Sequence, residues 1–227
     1  MENQFLRTET LIGKDALQKL AKSKIAVFGI GGVGGYVVEA LARAGIGHLD
    51  LIDNDIINYT NINRQIIALN SNIGKYKVDV AKERVLDIND KCNIKTICKF
   101  IDEDNILELF DYKIDYVIDC CDTVSTKALV IKECLDRNIK FISCMGTGNK
   151  FHPEMLEIIE LKKTSYDSLA RIMRNKFKNE KRKIMVVCSK EKAVSIPDRT
   201  PGSTSIVPNA AGILCASFVI NDILKEL

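Results

Sequence analysis

The sequence lacks the features that mark secreted, zinc-binding or membrane-spanning proteins. No signal peptide is visible, because the first residues are polar and the first apolar segment begins only at Ile25. The eight cysteines include no Cys-x-x-Cys pair, which argues against a four-cysteine zinc site. The longest apolar tract, residues 206–220, contains Pro208 and Asn209 and is too short for a comfortable membrane span. This tract predicts a buried final helix and no membrane association.

A large net charge is lacking as well, although the charge is unevenly distributed. The formal net charge of the 227 residues is +3. Residues 162–183 contain nine basic residues against Asp167 and Glu180, so this basic segment carries +7 and the remaining residues carry −4. The asymmetry indicates an anionic partner. With 46% hydrophobic and 28% charged residues, the composition is that of a globular protein, and the length suits one domain over residues 1–227.

A glycine-rich turn follows the first apolar segment of the chain. Residues 25–28 predict a strand, and the glycines that come after it are Gly29, Gly31, Gly32 and Gly34. Such a turn lets the backbone approach a phosphate closely, and the next helix presents its unpaired N–H groups to that anion. Asp53 ends the second predicted strand, 19 residues after Gly34, where a carboxylate can bind a ribose hydroxyl. This fingerprint alone fits any dinucleotide-binding enzyme.

An arginine shortly after Asp53 distinguishes this chain from a dehydrogenase. The run of residues 60–65 contains an arginine, which a dehydrogenase would not need there and a nucleoside triphosphate would. Arg64 offers a rigid fork for phosphate oxygens, and Lys77, in the first turn of a predicted helix, adds a point charge. Asp122 lies just past an apolar predicted strand, at the carboxyl edge of the sheet, where a ligand crevice is expected. These residues predict a triphosphate site.

The order of the predicted elements gives the fold class. Strands alternate with helices over residues 24–144, which predicts right-handed crossovers and a Rossmann-like, mostly parallel α/β sheet with helices on both faces. Two later strands predict a mixed or antiparallel C-terminal part. The predicted strands are residues 25–28, 48–53, 94–100, 115–119, 140–144, 156–161 and 184–187. The predicted helices are residues 15–21, 32–44, 75–89, 104–110, 123–137, 165–178 and one from about Asn209, with an arm over residues 1–14 and a loop over 198–203.

Taken together, these motifs resemble the ATP-dependent adenylating enzymes of the E1-like ThiF/MoeB/HesA family. The motifs are Gly29-x-Gly31-Gly32-x-Gly34, Asp53-x-Asp55, Asn61-x-x-Arg64-Gln65, Lys77 and Asp119-x-x-Asp122. Within that family, four further segments are similar to the tRNA threonylcarbamoyladenosine dehydratase branch. They are residues 5–13, which open Phe5-Leu6-Arg7-Thr8-Glu9, residues 144–150, residues 163–169 and the closing Gly202-Ser203-x-Ser205. The segment between the basic helix and the final helix is shorter than is common in that branch.

The resemblance implies an activity, its ligands and its site residues. The cofactors would be ATP and Mg²⁺, with Arg64, Lys77 and Asp122 as catalytic residues and Asp122 as the metal ligand. The implied nucleotide-binding residues are Gly29, Gly31, Gly32, Gly34, Asp53, Asp55, Asn61, Arg64, Lys77 and Asp122. The implied reaction dehydrates N6-threonylcarbamoyladenosine beside the anticodon of tRNA. ATP adenylates the threonyl carboxylate, and the neighbouring carbamoyl group then closes the ring.

The partners expected of this chain also follow from the resemblance. It implies a homodimer, in which Arg7 is similar to an arginine that some relatives extend toward the neighbouring subunit's ATP, and a partner that is a cysteine desulfurase or sulfur acceptor. No DNA is expected. The phosphate-binding pattern and the missing signal peptide predict a reducing cytoplasm, in which the cysteines are free core thiols. Cys144 and Cys188 each end a predicted strand and are expected to pack rather than to react.

The basic segment fits tRNA as the second substrate. Its predicted helix has one apolar stripe, and this would leave the basic side chains toward solvent, where they supply affinity for phosphate. The stripe consists of Leu169, Ile172, Met173 and Phe177, and the solvent-facing cations of Arg171, Arg174, Lys176 and Lys178. Aromatic residues that could stack on bases are few here, since only Tyr166 and Phe177 are present.

Other interpretations of the same residues remain open at this point. Asp53 could be a turn residue, Asp122 a helix N-cap, Lys77 a solvated lysine and Arg64 a structural ion-pair partner. Two other functions compete with the one above. The first is adenylation of the C-terminus of a ubiquitin-like sulfur-carrier protein, which the missing Cys-x-x-Cys pairs and the basic helix disfavour. The second is a non-catalytic, dinucleotide-binding regulator.

Overall fold

The computed structural model describes residues 4–196 and 201–225, and within them the chain forms seven strands and seven α-helices. The strands are β1 Lys24–Phe28, β2 His48–Ile52, β3 Asn93–Ile97, β4 Tyr116–Asp119, β5 Lys140–Cys144, β6 Leu156–Glu160 and β7 Met185–Ser189. The helices are α1 Leu6–Ile12, α2 Lys14–Lys22, α3 Gly34–Ala44, α4 Lys77–Ile88, α5 Val124–Asp136, α6 Ser168–Lys176 and α7 Val207–Leu224. Short 3₁₀ helices, including Ile106–Phe110, connect several of them.

The seven strands form one sheet in the order β3-β2-β1-β4-β5-β7-β6. All neighbouring pairs are parallel except β6 and β7, which run antiparallel. The predicted fold class, a mostly parallel sheet with an antiparallel C-terminal part, is therefore confirmed. Because the chain leaves β1 toward β2 and returns on its other side at β4, the strand order reverses between β1 and β4. A ligand crevice is expected at the carboxyl ends of these strands.

The burial of each strand follows from its place in the sheet. β4 lies between β1 and β5 and is buried at all four residues, as its apolar sequence predicts for a central strand. β3, at the edge, contains no fully buried residue. One core cluster packs α3, α4 and α7 against the sheet, and another packs the 3₁₀ helix Ile106–Phe110 and α5 on the opposite face around Phe28. The rings of Phe28 and Phe110 stack with their centroids 6.1 Å apart.

The final helix is longer than the sequence suggests. α7 begins at Val207, not at Asn209, and its 18 residues have a mean hydropathy of 1.5, enough by length and composition to cross a membrane. The length argument made from residues 206–220 is therefore wrong. The packing of α7 supports the predicted buried helix, because half of its residues are buried and it crosses α3 closely. At that crossing a Cβ on Gly212 would lie 2.3 Å from the Val33 carbonyl oxygen.

Several element boundaries differ from the predictions. Residues 6–12 form α1 rather than an arm, and the reason this helix is not visible in the sequence is that none of its residues is buried. Gly13, with φ of +87°, separates α1 from α2. β3 ends at Ile97, and the helix predicted over residues 165–178 is the shorter α6. In the predicted loop 198–203, residues 198–200 lie outside the described part of the chain.

Candidate functional site

A cavity of about 770 Å³ opens at the carboxyl ends of β1, β2, β4 and β5. Its walls come from the segments that follow these four strands and β3, together with the first turn of α4 and the starts of α6 and α7. The predicted site residues that line this cleft are Gly29, Gly31, Gly32, Asp53, Asp55, Asn61, Arg64, Lys77 and Asp122. The structure thus brings together residues that lie up to 93 positions apart in the sequence.

Each glycine of the turn after β1 is needed for a different structural reason. Gly29 has φ of +83°, and a Cβ there would lie 3.0 Å from the Cys120 carbonyl group. A Cβ on Gly31 would meet only the side-chain nitrogen of Gln65, at 3.9 Å, so the backbone here is open to an approaching phosphate. Gly34 does not line the cleft. Its Cβ would lie 1.8 Å from the Gly29 carbonyl oxygen, so this glycine lets α3 start against the turn.

Asp53 directly follows β2, the neighbour of β1, and holds the glycine turn in place. Its carboxylate accepts hydrogen bonds from the backbone N–H groups of Ile30, at 2.6 Å, and of Asp55, at 2.8 Å. Burial raises the pKa of Asp53, and this effect exceeds the opposing influence of Lys77 and the two N–H groups. This carboxylate therefore stabilises the turn, as the turn-residue interpretation allows. Its place in the cleft leaves the predicted ribose contact open to test.

Lys77 is not a solvated lysine. It is 6% exposed at the start of α4, and its ammonium lies 2.6 Å from Asp55 Oδ2 and 3.9 Å from Asp53 Oδ1. The Asp55 side chain is 58% exposed, so this carboxylate remains accessible from the cleft. In the structure, the cation predicted to contact phosphate is thus neutralised by two carboxylates.

Asn61 and Arg64 come from the segment between β2 and α4. Asn61 accepts a hydrogen bond from the Asn58 N–H at 2.9 Å, which fixes the short 3₁₀ helix Tyr59–Asn61. Arg64 is half-buried and donates to the Thr60 carbonyl oxygen at 3.0 Å and to Asn63 Oδ1 at 2.9 Å. Among the described residues no carboxylate lies within ion-pair distance of Arg64, so the structural ion pair considered above is not formed. The Arg64 guanidinium is therefore available to bind an anion.

Asp122 lies in the loop between β4 and α5. The glycine turn follows β1, which is the neighbour of β4 in the sheet. It is exposed, lines the cleft and makes no hydrogen bond or ion pair within the described chain. The N-cap residue of α5 is Thr123, and no side chain caps that helix. The N-cap interpretation of Asp122 is therefore wrong, and its carboxylate is available to a ligand.

The sequence analysis missed a buried charge cluster beneath Asp122. Lys127 and Asp119 are both 0% exposed, with Lys127 Nζ 2.7 Å from Asp119 Oδ2. The ammonium also donates to Ser143 Oγ at 3.0 Å and to the Cys144 carbonyl oxygen at 2.9 Å. Burial alone would lower the pKa of Lys127, but Asp119 outweighs it and the net shift is upward. Asp119 belongs to the Asp119-x-x-Asp122 motif, but no periodicity identifies Lys127, which looks like an ordinary polar residue on a helix.

A second buried ion pair lies on the far wall of the cleft. Lys150 Nζ donates to Asp167 Oδ2 at 2.9 Å and to the Gly146 carbonyl oxygen at 2.8 Å. The other oxygen of Asp167 accepts the Ala170 N–H at 2.7 Å and so caps α6. The sequence offers only a weak signal for this pair, namely an Asp before a helix. Its partner lies 17 positions earlier in a loop.

Known proteins share both the sequence and the fold of this chain. The ThiF family model matches residues 5–225. The tRNA threonylcarbamoyladenosine dehydratase of Bacillus subtilis (strain 168) is 39% identical over 246 residues, which cover 100% of this chain and 97% of the relative. The chain belongs to the ThiF family.

A second relative and a solved structure also match most of the chain. The tRNA threonylcarbamoyladenosine dehydratase of Escherichia coli (strain K12) is 36% identical over 94% of this chain and 78% of the relative. A crystal structure of the E. coli tRNA N6-threonylcarbamoyladenosine dehydratase in complex with ATP superposes with a TM-score of 0.93 at 35% identity. This match covers 98% of this chain and 94% of that chain. The family resemblance stated from the motifs is confirmed.

The cysteines of this ThiF-family chain are free thiols. Cys144 and Cys188 are buried in the sheet, which supports the prediction that they pack. Burial raises the pKa of Cys188 to about 12, so this thiol is not ionised at neutral pH. Cys98 is exposed, but partial burial and the nearby Asp79 and Asp53 raise its pKa as well.

The basic segment differs in part from its prediction. Arg171, Lys176 and Lys178 are exposed as expected. Arg174 is half-buried and donates to both the carbonyl oxygen and the hydroxyl of Thr164, so its predicted orientation toward solvent is wrong. Ile172, assigned to the apolar stripe, is 40% exposed. The reason is that α6 spans only nine residues and turns its buried side, Ala170 and Met173, toward the core.

Proposed function

We propose that this chain catalyses the ATP-dependent dehydration of N6-threonylcarbamoyladenosine in tRNA to its cyclic form. The observation that carries the proposal is the cleft. It places an open glycine turn, an arginine that pairs with no carboxylate of the described residues, and an accessible carboxylate around one cavity. The fold is that of the ThiF family and matches dehydratases over its whole length. The large size of the cavity leaves room for a nucleotide and a second reactant.

The proposed reaction has two steps. A carboxylate cannot expel oxide, so one threonyl carboxylate oxygen first attacks the α-phosphorus of ATP, and pyrophosphate leaves. The carbamoyl group of the same side chain then attacks the activated carbonyl carbon, the ring closes and AMP leaves. Both reacting groups belong to one side chain, so proximity promotes the second step without a nucleophile from the enzyme. This agrees with the burial of Cys144 and Cys188 and with the raised pKa of Cys188.

The residues of the cleft have positioning and electrostatic roles in this mechanism. The triphosphate brings about four negative charges, which fixed cations stabilise better than a neutral pocket does. Arg64 is placed to contact phosphate oxygens directly. Lys77 would share its charge between the phosphates and Asp53 and Asp55, whose carboxylates would in turn hold the ribose.

The donor set also fits Mg²⁺ as a proposed cofactor. The described residues contain no group of three side chains that could hold a metal ion by themselves. Asp122 is exposed in the cleft and offers one carboxylate. Mg²⁺ in nucleotide sites takes one or two protein carboxylates and completes its shell with water and phosphate oxygens. When bound, the ion would neutralise charge on the phosphates.

We further propose a homodimer of single-domain chains over residues 1–227, located in the cytoplasm.

The test compares two substrates with the same enzyme. The protein is incubated with ATP and either tRNA that carries threonylcarbamoyladenosine or a ubiquitin-like carrier protein, and AMP and pyrophosphate are measured. We expect AMP with the modified tRNA, together with loss of one water from the nucleoside by mass spectrometry, and none with the unmodified transcript. AMP release with the carrier protein alone would instead support the sulfur-carrier interpretation. Tight NAD binding without ATP binding would support a dinucleotide-binding regulator.

A further inference from the structure

The cleft has a wall that the proposed nucleotide-binding residues do not use. Residues 146–150, after β5, and residues 166–169, at the start of α6, both line it. Because β5 follows β4 in the sheet, this wall lies beyond Asp122 as seen from the glycine turn. A molecule bound to it would therefore face ATP across Asp122. This wall therefore offers a place for the second reactant of the proposed function.

Tyr166 is presented at this wall in an unusual way. Its side chain is 66% exposed although it lines the cleft, and among the described residues its ring stacks on no other aromatic ring. Its φ is +54°, in the left-handed region that a bulky residue seldom adopts. Strained backbone of this kind persists only where the surrounding structure enforces it, and it clusters at ligand sites.

The neighbours of Tyr166 enforce this conformation from both sides. Before it, the Thr164 hydroxyl donates to the Leu161 carbonyl oxygen at 2.7 Å, and Arg174 donates to the Thr164 carbonyl oxygen at 3.0 Å. After it, Asp167 is locked by the buried ammonium of Lys150. The ring thus stands on a rigid frame that ties both segments of the wall together.

Exposed cations flank Tyr166 along the chain. Lys163 and Arg171 are exposed on either side of Tyr166 in the sequence, within the segment that carries +7. Unpaired RNA bases are recognised by stacking on aromatic rings beside a cationic path for the backbone. We infer that Tyr166 is a stacking platform for an unpaired base of the RNA substrate, next to the ATP cleft. The inference rests on the proposed function, because it assigns the site for its second substrate.

The absence of tryptophan from the sequence allows a direct test. In Tyr166→Trp the introduced indole is the sole tryptophan of the chain and keeps an aromatic face. We expect its fluorescence to be quenched, with saturation, by tRNA that carries threonylcarbamoyladenosine, and to be unchanged by ATP alone. The control is Tyr59→Trp, at a 73% exposed tyrosine that does not line the cleft, where tRNA should have no effect. Quenching by ATP alone, or equal behaviour of the two variants, would overturn the inference.

The second measurement separates stacking from charge. Tyr166→Ala should weaken tRNA binding by about 5-fold to 150-fold, the range for loss of one base–aromatic stack. The slope of log affinity against log salt should stay that of the wild type, since no charge is removed. Tyr166→Phe should bind like the wild type, and ATP affinity should be the same in all three. If Tyr166→Ala binds tRNA normally while the wild type still produces AMP, the inference fails and the proposed function stands. If the wild type produces no AMP from modified tRNA, the proposed function itself fails.

Discussion

At the scale of single residues, the charges of the cleft are balanced against one another. Lys77 is buried between Asp53 and Asp55, while Arg64 and Asp122 lack an oppositely charged partner within the described chain. The balanced charges lie on the β2 side of the cleft, and the unpaired carboxylate lies past β4. Incoming ATP would therefore compete with Asp55 for Lys77 but would meet the guanidinium of Arg64 without first breaking an ion pair.

The first prediction concerns Lys77. In Lys77→Met, Asp53 loses the ammonium that opposes the effect of burial, so the already raised pKa of Asp53 should rise further. ATP binding should weaken by at least about tenfold, because a hydrogen bond to a charged group contributes about 1.5–3 kcal/mol. Titration of the Asp53 carboxyl by NMR and calorimetry with ATP check the two effects. Lys75→Met, at an exposed lysine two residues earlier, is the control and should change neither.

The second prediction concerns Asp122. Because this carboxylate is exposed and bonds no described residue, Asp122→Ala should leave the free energy of unfolding within about 0.5 kcal/mol of the wild type. The rate of AMP formation should fall by at least about 100-fold, as for the loss of one group that stabilises transition-state charge. The wild type should bind ATP more tightly with Mg²⁺ than without it, and the variant should lose that difference. Asp111→Ala is the control. Normal turnover in Asp122→Ala would refute the metal assignment.

At the scale of elements, buried charges tie the site to the sheet. Lys127 on α5 contacts Asp119 at the end of β4 and Ser143 in β5. The second oxygen of Asp119 accepts the Cys121 N–H at 3.0 Å, one residue before Asp122. The loop that carries Asp122 is therefore held by this cluster.

Removing the cation of this cluster should destabilise the fold strongly. Lys127→Met leaves Asp119 buried without its partner, which costs about 3–5 kcal/mol in comparable buried pairs. Urea unfolding should show a corresponding shift of the midpoint. Lys132→Met on the same helix is the matched control. Its ion pair with Asp136 is exposed, so the loss should be much smaller than that of Lys127→Met. Equal effects of the two substitutions would contradict the argument.

A partly exposed ion pair links α3 to α4 and makes stability depend on pH. Glu39 accepts hydrogen bonds from Arg43 at 2.7 Å and from Arg84 at 2.6 Å. Burial alone would raise the pKa of Glu39, but the two arginines outweigh it and the net pKa is lowered. Since the folded pKa lies below the unfolded value of 4.5, this stabilisation is present above about pH 4.5 and is lost as the pH falls through the folded pKa.

Glu39→Gln should therefore be destabilised mainly near neutral pH. We expect a loss of about 1–3 kcal/mol at pH 7, as for hydrogen bonds to a charged group, and a smaller difference from the wild type below pH 4.5. Urea unfolding at several pH values measures this trend. Glu108→Gln, which breaks the exposed pair with Lys99, should have almost no effect at any pH. If the difference in stability between Glu39→Gln and the wild type grows in acid, the lowered pKa of Glu39 is contradicted.

The elements that sequence could predict are those whose burial is periodic. The central strand β4 and the crossovers around it follow from apolar segments alternating with helices, and the cleft follows from their carboxyl ends. Interactions that depend on three-dimensional neighbours were not predictable. Lys127, the Lys150–Asp167 pair and the turned-in Arg174 each look like ordinary surface residues until a distant segment supplies the partner. The family resemblance implied a set of site residues but could not show that Lys77 is already paired.

At the scale of the whole molecule, the charge distribution matches the position of the cleft. The basic segment begins after β6 and includes α6, whose first turn forms the far wall of the cleft. Cations in this segment that donate to protein groups, such as Arg174, are unavailable to phosphate. Exposed cations such as Lys176 and Lys178 remain free to contact an RNA backbone leading to Tyr166.

Charge reversal on this surface should weaken tRNA binding through its electrostatic part. In Lys176→Glu/Lys178→Glu we expect the slope of log affinity against log salt to become shallower by about 2, since each lost phosphate contact removes about one unit. Filter binding at several salt concentrations measures the slope. Lys113→Glu is the control, because Lys113 is 89% exposed and precedes β4, at the edge of the sheet opposite the cleft. It alters net charge without touching the proposed RNA path, so its slope should equal that of the wild type. Equal slopes in all three proteins would show that the basic segment is a solvated surface and that tRNA reaches the cleft from another side.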